Sequence, residues 1–126
     1  MPKTIHQVEG VKPSPLLSHA VEANGFVFIA GTVGSDPATG TVKAGGFEAE
    51  CRQMLDNVAH LLHGVGLDFP DVVRSTVYLV DFANWETYNR LYREYFPSGP
   101  PARATVQAGL VSPYGIEIEV TAARRG

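Results

Sequence analysis

The segment FEAECRQMLDNVAHLLHGVG, residues 47–66, is the feature that most constrains the fold. Its apolar residues recur at helical intervals over about five turns, which predicts a long amphipathic helix. Gly45-Gly46 precedes this segment, and Gly64 and Gly66 supply a stop signal. Because such a helix carries one apolar stripe, another layer of the fold has to cover it. The apolar positions of the stripe are 47, 51, 54, 55, 58, 61, 62 and 65.

Strand patterns precede this helix. SHAVEA (18–23) and FVFIAG (26–31) flank the pair Asn24-Gly25, which suits the tight turn of a β-hairpin. The turn signal DPATG (36–40) is followed by TVKA (41–44), a short strand candidate.

The second half of the chain also contains both strand and helix patterns. DVVRSTVYLVDF (71–82) predicts a strand, and NWETYNRLYREYF (84–96) predicts a second amphipathic helix. ARATVQAG (102–109) and GIEIEVTAARR (115–125) predict the last two strands. The order hairpin, helix, strand, helix, strand, strand is typical of an α+β sandwich with two helices on one face of a sheet.

The other face of the predicted sheet carries polar residues. In the last strand the apolar residues alternate with Glu117, Glu119 and Thr121, so the two sets lie on opposite sides. If the last two strands pair, Arg103, Thr105 and Gln107 share the face of the two glutamates. In a monomer this face is solvated, whereas in an oligomer it can line a cavity between subunits.

Arg103 follows Pro100-Pro101 and permits two interpretations. It can form a cross-strand ion pair with Glu117, worth less than about 1 kcal/mol on an open sheet. Alternatively, its planar guanidinium is a bidentate receptor for a carboxylate, with Glu117 as an acid or base nearby.

The remaining candidates have weaker patterns. His60 and His63 have a metal-ligand interval but are expected to point to solvent without a third ligand, so no metal site is predicted. Cys51 lies in the apolar stripe and is expected to be a small buried hydrophobe. His19 either makes a structural hydrogen bond or lines a pocket near Gly31.

Composition excludes several classes of protein. The chain has 126 residues, 44% of them hydrophobic, which suits a single soluble domain over 1–126. A net charge of −3 argues against nucleic acid as a partner, and a single cysteine excludes a disulfide scaffold. Phosphate-loop, dinucleotide-binding, nucleophile-elbow and HExxH motifs are missing. With no signal core and no run long enough to span a membrane, the expected location is the cytoplasm.

The closing segment PPARATVQAGLVSPYGIEIEVTAARR resembles the C-terminal signature of the reactive-intermediate deaminase family, also called YjgF or endoribonuclease L-PSP. SHAVEANGFVFIAGTVGSDPATG resembles the first hairpin of this family. LDNVAHLLHGVGLDFPDVVRSTVYLVD resembles its long helix and following strand, and YNRLYREYFPSGPPAR its second helix. The resemblance covers nearly the whole chain in matching order.

The resemblance implies a chorismate-mutase-like fold and a homotrimer with a central β-barrel, outer helices and sites in the clefts between subunits. It implies hydrolysis of reactive 2-imino or enamine acids, such as 2-aminoacrylate, to 2-keto acids and ammonia without a cofactor. Arg103 matches the arginine that binds the substrate carboxylate, and Glu117 the glutamate that positions water. Asn89 matches an asparagine that lines the cleft, and Gly31 matches the glycine that follows the first core strand; both are candidate substrate-binding residues.

Three positions depart from the family pattern. Leu17 stands where a tyrosine is expected, Ala30 where a serine is expected, and Thr105 where a cysteine is common. Thr105 restores one hydroxyl, and His19 is available beside the changed segment. These changes bear on the substrate more than on the mechanism, and they predict a paralogue with a different or looser pocket.

Three functions remain open from the sequence. The first is the deaminase described above. The second is a non-catalytic trimer that binds small carboxylates as a sensor or a chaperone-like protein. The third is an endoribonuclease, against which the acidic net charge argues because phosphate contacts dominate affinity for nucleic acids.

Overall fold

The computed structural model describes residues 2–125. These residues form six strands and two α-helices, and short 3₁₀ turns at Phe69–Asp71 and Phe82–Asn84 lead into β4 and α2. The elements are β1 Thr4–His6, β2 Ala20–Ala23, β3 Phe26–Val33, α1 Phe47–Gly64, β4 Val72–Leu79, α2 Trp85–Tyr95, β5 Ala102–Gln107 and β6 Ile116–Ala123.

All six strands form one sheet in the order β1-β2-β3-β6-β4-β5. The pairs are antiparallel except β4 and β5, which run parallel because α2 connects them. The predicted α+β class, with a mixed sheet and two helices, is confirmed. Within residues 2–125, neither helix is long and apolar enough to cross a membrane.

The hairpin between β2 and β3 turns at the predicted Asn-Gly pair. Asn24 has φ 53° and Gly25 has φ 82°, so both central residues are left-handed. This is the backbone of the type I′ turn, whose twist matches the two strands that it connects. The predicted hairpin is confirmed, with its first strand beginning at Ala20.

The core lies between the sheet and the two helices. On the helix-facing side of the sheet Val27 and Ile29 of β3 and every second residue of β6 are buried, as the alternation in the sequence predicts. The apolar stripe of α1 covers these residues, and the prediction that Cys51 is a buried hydrophobe is confirmed. Fully buried members of the core include Val27, Met54, Leu55, Val58, Leu62, Leu79, Ile116 and Ile118.

One local prediction of a strand was wrong, and one strand was not predicted. TVKA (41–44) is not a strand, and only an isolated bridge joins Val42 to Ser35. The left-handed Gly45 and Gly46, at φ 113° and 90°, end any extension before α1 begins. Conversely, β1 was not predicted, because its three residues TIH are too few to show an alternating pattern.

The expected pairing of the last two strands was also wrong. β6 lies between β3 and β4, whereas β5 pairs only with β4 at the edge of the sheet. The register joins Ser75 to Arg103 on one side and Ser75 to Val120 on the other. Arg103 is therefore on the helix-facing side with buried Val120, and not on the side of Glu117 and Glu119.

We expect the buried hydrogen bond between the Ser75 and Tyr92 hydroxyls, 2.6 Å long, to stabilise the packing of α2 on β4. Ser75→Ala should lower the free energy of unfolding by about 1–3 kcal/mol, because the Tyr92 hydroxyl stays buried without its partner. Adding Tyr92→Phe should recover part of this loss. A urea double-mutant cycle measures the coupling, and strictly additive effects would contradict the prediction.

Candidate active site

Arg103 lies on the helix-facing side of the edge strand and packs against the aromatic side chains of α2. Its guanidinium carbon is 4.8 Å from the ring centroid of Tyr92, 5.0 Å from Tyr88 and 5.6 Å from Trp85. A guanidinium at these distances is attracted by the negative faces of the rings. The aromatic stripe therefore fixes the position of a positive charge that remains exposed to solvent.

Asn89 holds the same guanidinium from the side. Its Oδ1 accepts a hydrogen bond of 2.9 Å from Arg103 Nη1. Because a guanidinium carries five N–H donors, this bond orients the group and leaves most of its donors for a ligand. An arginine held in this way is suited to bind a carboxylate through two parallel hydrogen bonds.

Thr105 lies two residues further along β5, on the same side of the sheet. Its Oγ1 forms a hydrogen bond of 2.8 Å with the hydroxyl of Tyr88. Burial raises the pKa of Tyr88 to about 12, so this phenol stays protonated at neutral pH. The hydroxyl of Thr105 is thus linked to the residue that supports Arg103.

Glu117 lies on the opposite side of the sheet, on β6. Its cross-strand neighbours are Val33 and Tyr78. Burial and, to a lesser degree, the charge of Glu119 raise the pKa of Glu117. A Cβ atom on Gly31 would collide with the Glu117 carboxylate, so the glycine leaves the space that this carboxylate occupies.

The backbone bulges beside this carboxylate. The register between β3 and β6 shifts between Ile29 and Thr32, so Ala30 and Gly31 together face one residue of β6. Bulges of this kind commonly re-aim side chains next to functional sites. The amide of Ala30 donates to the carbonyl of His19, 3.0 Å away, which makes these residues cross-strand neighbours.

The ring of His19 makes a structural hydrogen bond, which is one of its two interpretations from the sequence. Its Nε2 donates to the carbonyl of Lys12 over 3.2 Å. His19 and Leu17 border a cavity of about 140 Å³ beneath the N-terminal segment. Leu17 itself is half exposed and presents an apolar side chain.

The candidate residues therefore form two groups on opposite sides of the sheet. On the helix-facing side lie Arg103, Asn89 and Thr105. On the opposite side lie His19, Ala30, Gly31 and Glu117. The ion pair between Arg103 and Glu117, one of the two interpretations from the sequence, is wrong. The sheet separates the two side chains, and Arg103 donates to Asn89 instead.

The residues that we weighed as metal ligands make ordinary surface contacts. His60 donates to the carbonyl of Glu9 at 2.7 Å, and His63 pairs with Asp68 at 3.1 Å. Within residues 2–125 no group of three potential ligands is close enough to hold a metal ion.

Sequence reasoning missed the aromatic support of Arg103. The helical spacing of Trp85, Tyr88 and Tyr92 indicates one stripe, which suggested a core or an interface. The spacing gives no information about which strand packs on the stripe. Only the parallel pairing of β5 with β4 brings Arg103 to these rings.

Comparison with known proteins agrees with this architecture. The sequence profile of the family described as "Endoribonuclease L-PSP" matches residues 9–124. The human protein named 2-iminobutanoate/2-iminopropanoate deaminase is 39% identical over 105 residues, which cover 83% of this chain and 76% of that protein. A RutC family protein of Pyrococcus horikoshii is 35% identical over 122 residues, covering 97% of this chain and 96% of the relative.

Solved structures show the same fold. The crystal structure of the E. coli YjgF gene product superimposes with a TM-score of 0.86 at 31% identity, covering 97% of this chain and 98% of that one. RidA from an Antarctic Psychrobacter gives a TM-score of 0.88 at 28% identity, with 95% and 98% coverage. The chain belongs to the endoribonuclease L-PSP family, the family of RidA and YjgF.

We expect Gly31→Ala to displace the Glu117 carboxylate, because the added methyl group takes the place of its oxygen. The pKa of Glu117 should then fall toward its ordinary value as the side chain moves into water. Titration of the carboxyl carbon by NMR measures this change. Gly109→Ala is the matched control, because nothing lies within 4 Å of its added Cβ. An unchanged Glu117 titration in Gly31→Ala would contradict the prediction.

Proposed function

We propose that this protein hydrolyses reactive 2-imino acids and their enamine tautomers to 2-keto acids and ammonia, without a cofactor, at sites between the subunits of a homotrimer. The observation that carries the proposal is the preorganised guanidinium of Arg103, held by three rings and Asn89. The name of the human relative supports the reaction class.

The separation of the two groups supports a site shared by subunits. A ligand on Arg103 cannot reach Glu117 of the same chain, because the sheet lies between them. A second chain that lays its open sheet face near the edge strand would bring its own Glu117 to that ligand. The carboxylate receptor of one subunit and the carboxylate of its neighbour would then form one cleft.

The open face of the sheet has the character of a subunit interface. Its apolar residues include Phe26 at 44% exposure and Phe28 at 47%, which a monomer leaves in water. The small and apolar side of β5 faces the same way, with Val106 at 43% exposure. Exposed apolar residues grouped on a sheet face mark an interaction site, and a second copy of the chain is the partner that the trimer requires.

In the proposed reaction Arg103 binds the substrate carboxylate and holds the imine carbon beside Glu117 of the neighbouring subunit. Glu117 orients a water molecule and accepts its proton as the water oxygen bonds to that carbon. The electrons of the C=N bond move to the protonated nitrogen, which gives a carbinolamine. Glu117 returns the proton to nitrogen. It then takes the hydroxyl proton while the oxygen electrons form the C=O bond and the C–N bond breaks, so that ammonia leaves and the keto acid remains.

The environment of Glu117 suits the role of a base. Burial is the main cause that raises its pKa, and Glu119 adds to it. A carboxylate with a raised pKa holds a proton more strongly, so it is the better acceptor for a proton from water. The imine carbon is already electrophilic when its nitrogen is protonated, and modest positioning is therefore sufficient.

Binding without turnover is the second candidate function. Leu17 and Ala30 carry no hydroxyl, so two possible partners for substrate and water are lost. A sensor or chaperone-like trimer would bind small carboxylates on Arg103 and release no ammonia. Cleavage of RNA has less support, because the net charge is −3 and phosphate binding needs positive surface.

We expect Arg103→Ala to lower kcat/KM on the order of a hundredfold or more, because the substrate carboxylate loses its charged hydrogen bonds. Ammonia release from imino acids generated in situ by an amino-acid oxidase measures the rate. Arg93→Ala, which removes an exposed arginine from α2, is the control and should keep native activity. Full activity of Arg103→Ala would exclude the proposed role.

Mixed trimers test the shared site. Arg103→Ala and Glu117→Gln should each be inactive alone, yet refolding them together should restore about a quarter of native activity. Arg103 is intact in half of the chains and Glu117 in the other half. Because each site takes the two residues from different chains, about a quarter of the sites contain both. Sedimentation of each preparation checks the trimer. No recovery in a sedimenting mixed trimer would contradict a site shared between subunits.

A further inference from the structure

The aromatic residues around Arg103 fall into a buried pair and an exposed pair. Tyr88 and Tyr92, which support the guanidinium from below, are 0% and 5% exposed. Trp85 is 38% exposed and Phe82 is 42% exposed. Their rings stack with centroids 5.5 Å apart and an angle of 30° between the planes. Each ring keeps part of its surface in water, so the exposed pair forms an apolar surface beside the guanidinium.

This surface is continuous with the receptor. The ring centroid of Trp85 is 5.6 Å from the guanidinium carbon of Arg103, and Phe82 extends the surface away from the charge. A single exposed apolar residue is ordinary, but a stacked aromatic pair next to an oriented cation combines two ligand-binding features.

We propose that Phe82 and Trp85 form the subsite for the side chain of the ligand that Arg103 holds by its carboxylate. The ligand class is a 2-imino or 2-keto acid with a planar apolar side chain, such as a phenyl ring, rather than the small 2-aminoacrylate type. The turnover of such a ligand rests on the proposed function, whereas its binding does not.

The guanidinium and the aromatic pair together determine which ligand is preferred. The guanidinium requires an anion with planar oxygens, which a carboxylate supplies. One or two carbons from that carboxylate, a ring can cover the exposed parts of Trp85 and Phe82 and gain an aromatic contact as well as burial of apolar surface. A methyl group in the same place covers little of this surface. The subsite therefore discriminates between ligands by the apolar area and planarity of their side chains. It does not alter the reacting carbon.

Binding can be measured without turnover, because Trp85 is the single tryptophan of the chain. The probes are 3-phenylpropanoate, propanoate and the neutral 3-phenylpropanamide, titrated into the native protein with excitation at 295 nm. We expect saturable change of the Trp85 fluorescence with 3-phenylpropanoate, and binding at least about fivefold weaker for each of the other two probes. Equal affinity for propanoate and 3-phenylpropanoate would overturn the subsite.

Variants connect binding with selectivity in turnover. The readout is the ratio of kcat/KM for the imine from phenylalanine to that for the imine from alanine. Trp85→Ala should lower this ratio about three- to tenfold, and Trp85→Phe should keep it near the native value. Sedimentation accompanies each variant. An unchanged ratio in Trp85→Ala, or a change in its oligomeric state, would overturn the proposal by assigning Trp85 to packing.

The two measurements separate this inference from the proposed function. Selective binding of 3-phenylpropanoate with no ammonia release from any imine would remove the deaminase and support the subsite in a ligand-binding protein. Rapid turnover of both imines, with a ratio that Trp85→Ala does not change, would support the deaminase and remove the subsite.

Discussion

The position of β6 between β3 and β4 is the constraint on which the site depends. Its buried residues pair with buried residues on both sides, so its alternation fixes which face of the whole sheet meets the helices. Glu117 is consequently on the open face. β5 then joins β4 in parallel, with Ser75 opposite Arg103, and this register turns the arginine toward α2. One chain thus presents a receptor on one side and a carboxylate on the other.

The edge strand β5 reverses the usual relation between polarity and burial. Its polar residues face the helices, while its small apolar residues face outward with the glutamates of β6. The reversal is stable because α2 offers aromatic faces and an amide to the guanidinium, and a phenol to Thr105. The outward apolar side then needs a partner of its own, and the proposed trimer supplies it.

The sequence could predict what depends on local patterns. The periods of α1 and β6, the Asn24-Gly25 turn and the burial of Cys51 follow from spacing within single elements. It could not predict which strands are neighbours, since a register between distant segments leaves no period in either one. For this reason the prediction that Arg103 and Glu117 share one polar face was wrong. Both residues were nevertheless singled out from alternation and from the family signature.

The structure indicates how the three positions that depart from the expected family pattern bear on ligand selection. Thr105 was expected to restore a hydroxyl, but that hydroxyl is hydrogen-bonded to Tyr88 and stabilises the aromatic support of Arg103. Leu17 and Ala30 contribute no hydroxyl either. In the proposed site these positions offer fewer free hydroxyls for polar contacts to the side chain of a ligand, and such contacts are what gives strong selection between ligands. Selection then depends on the carboxylate and on the apolar shape of what is attached to it.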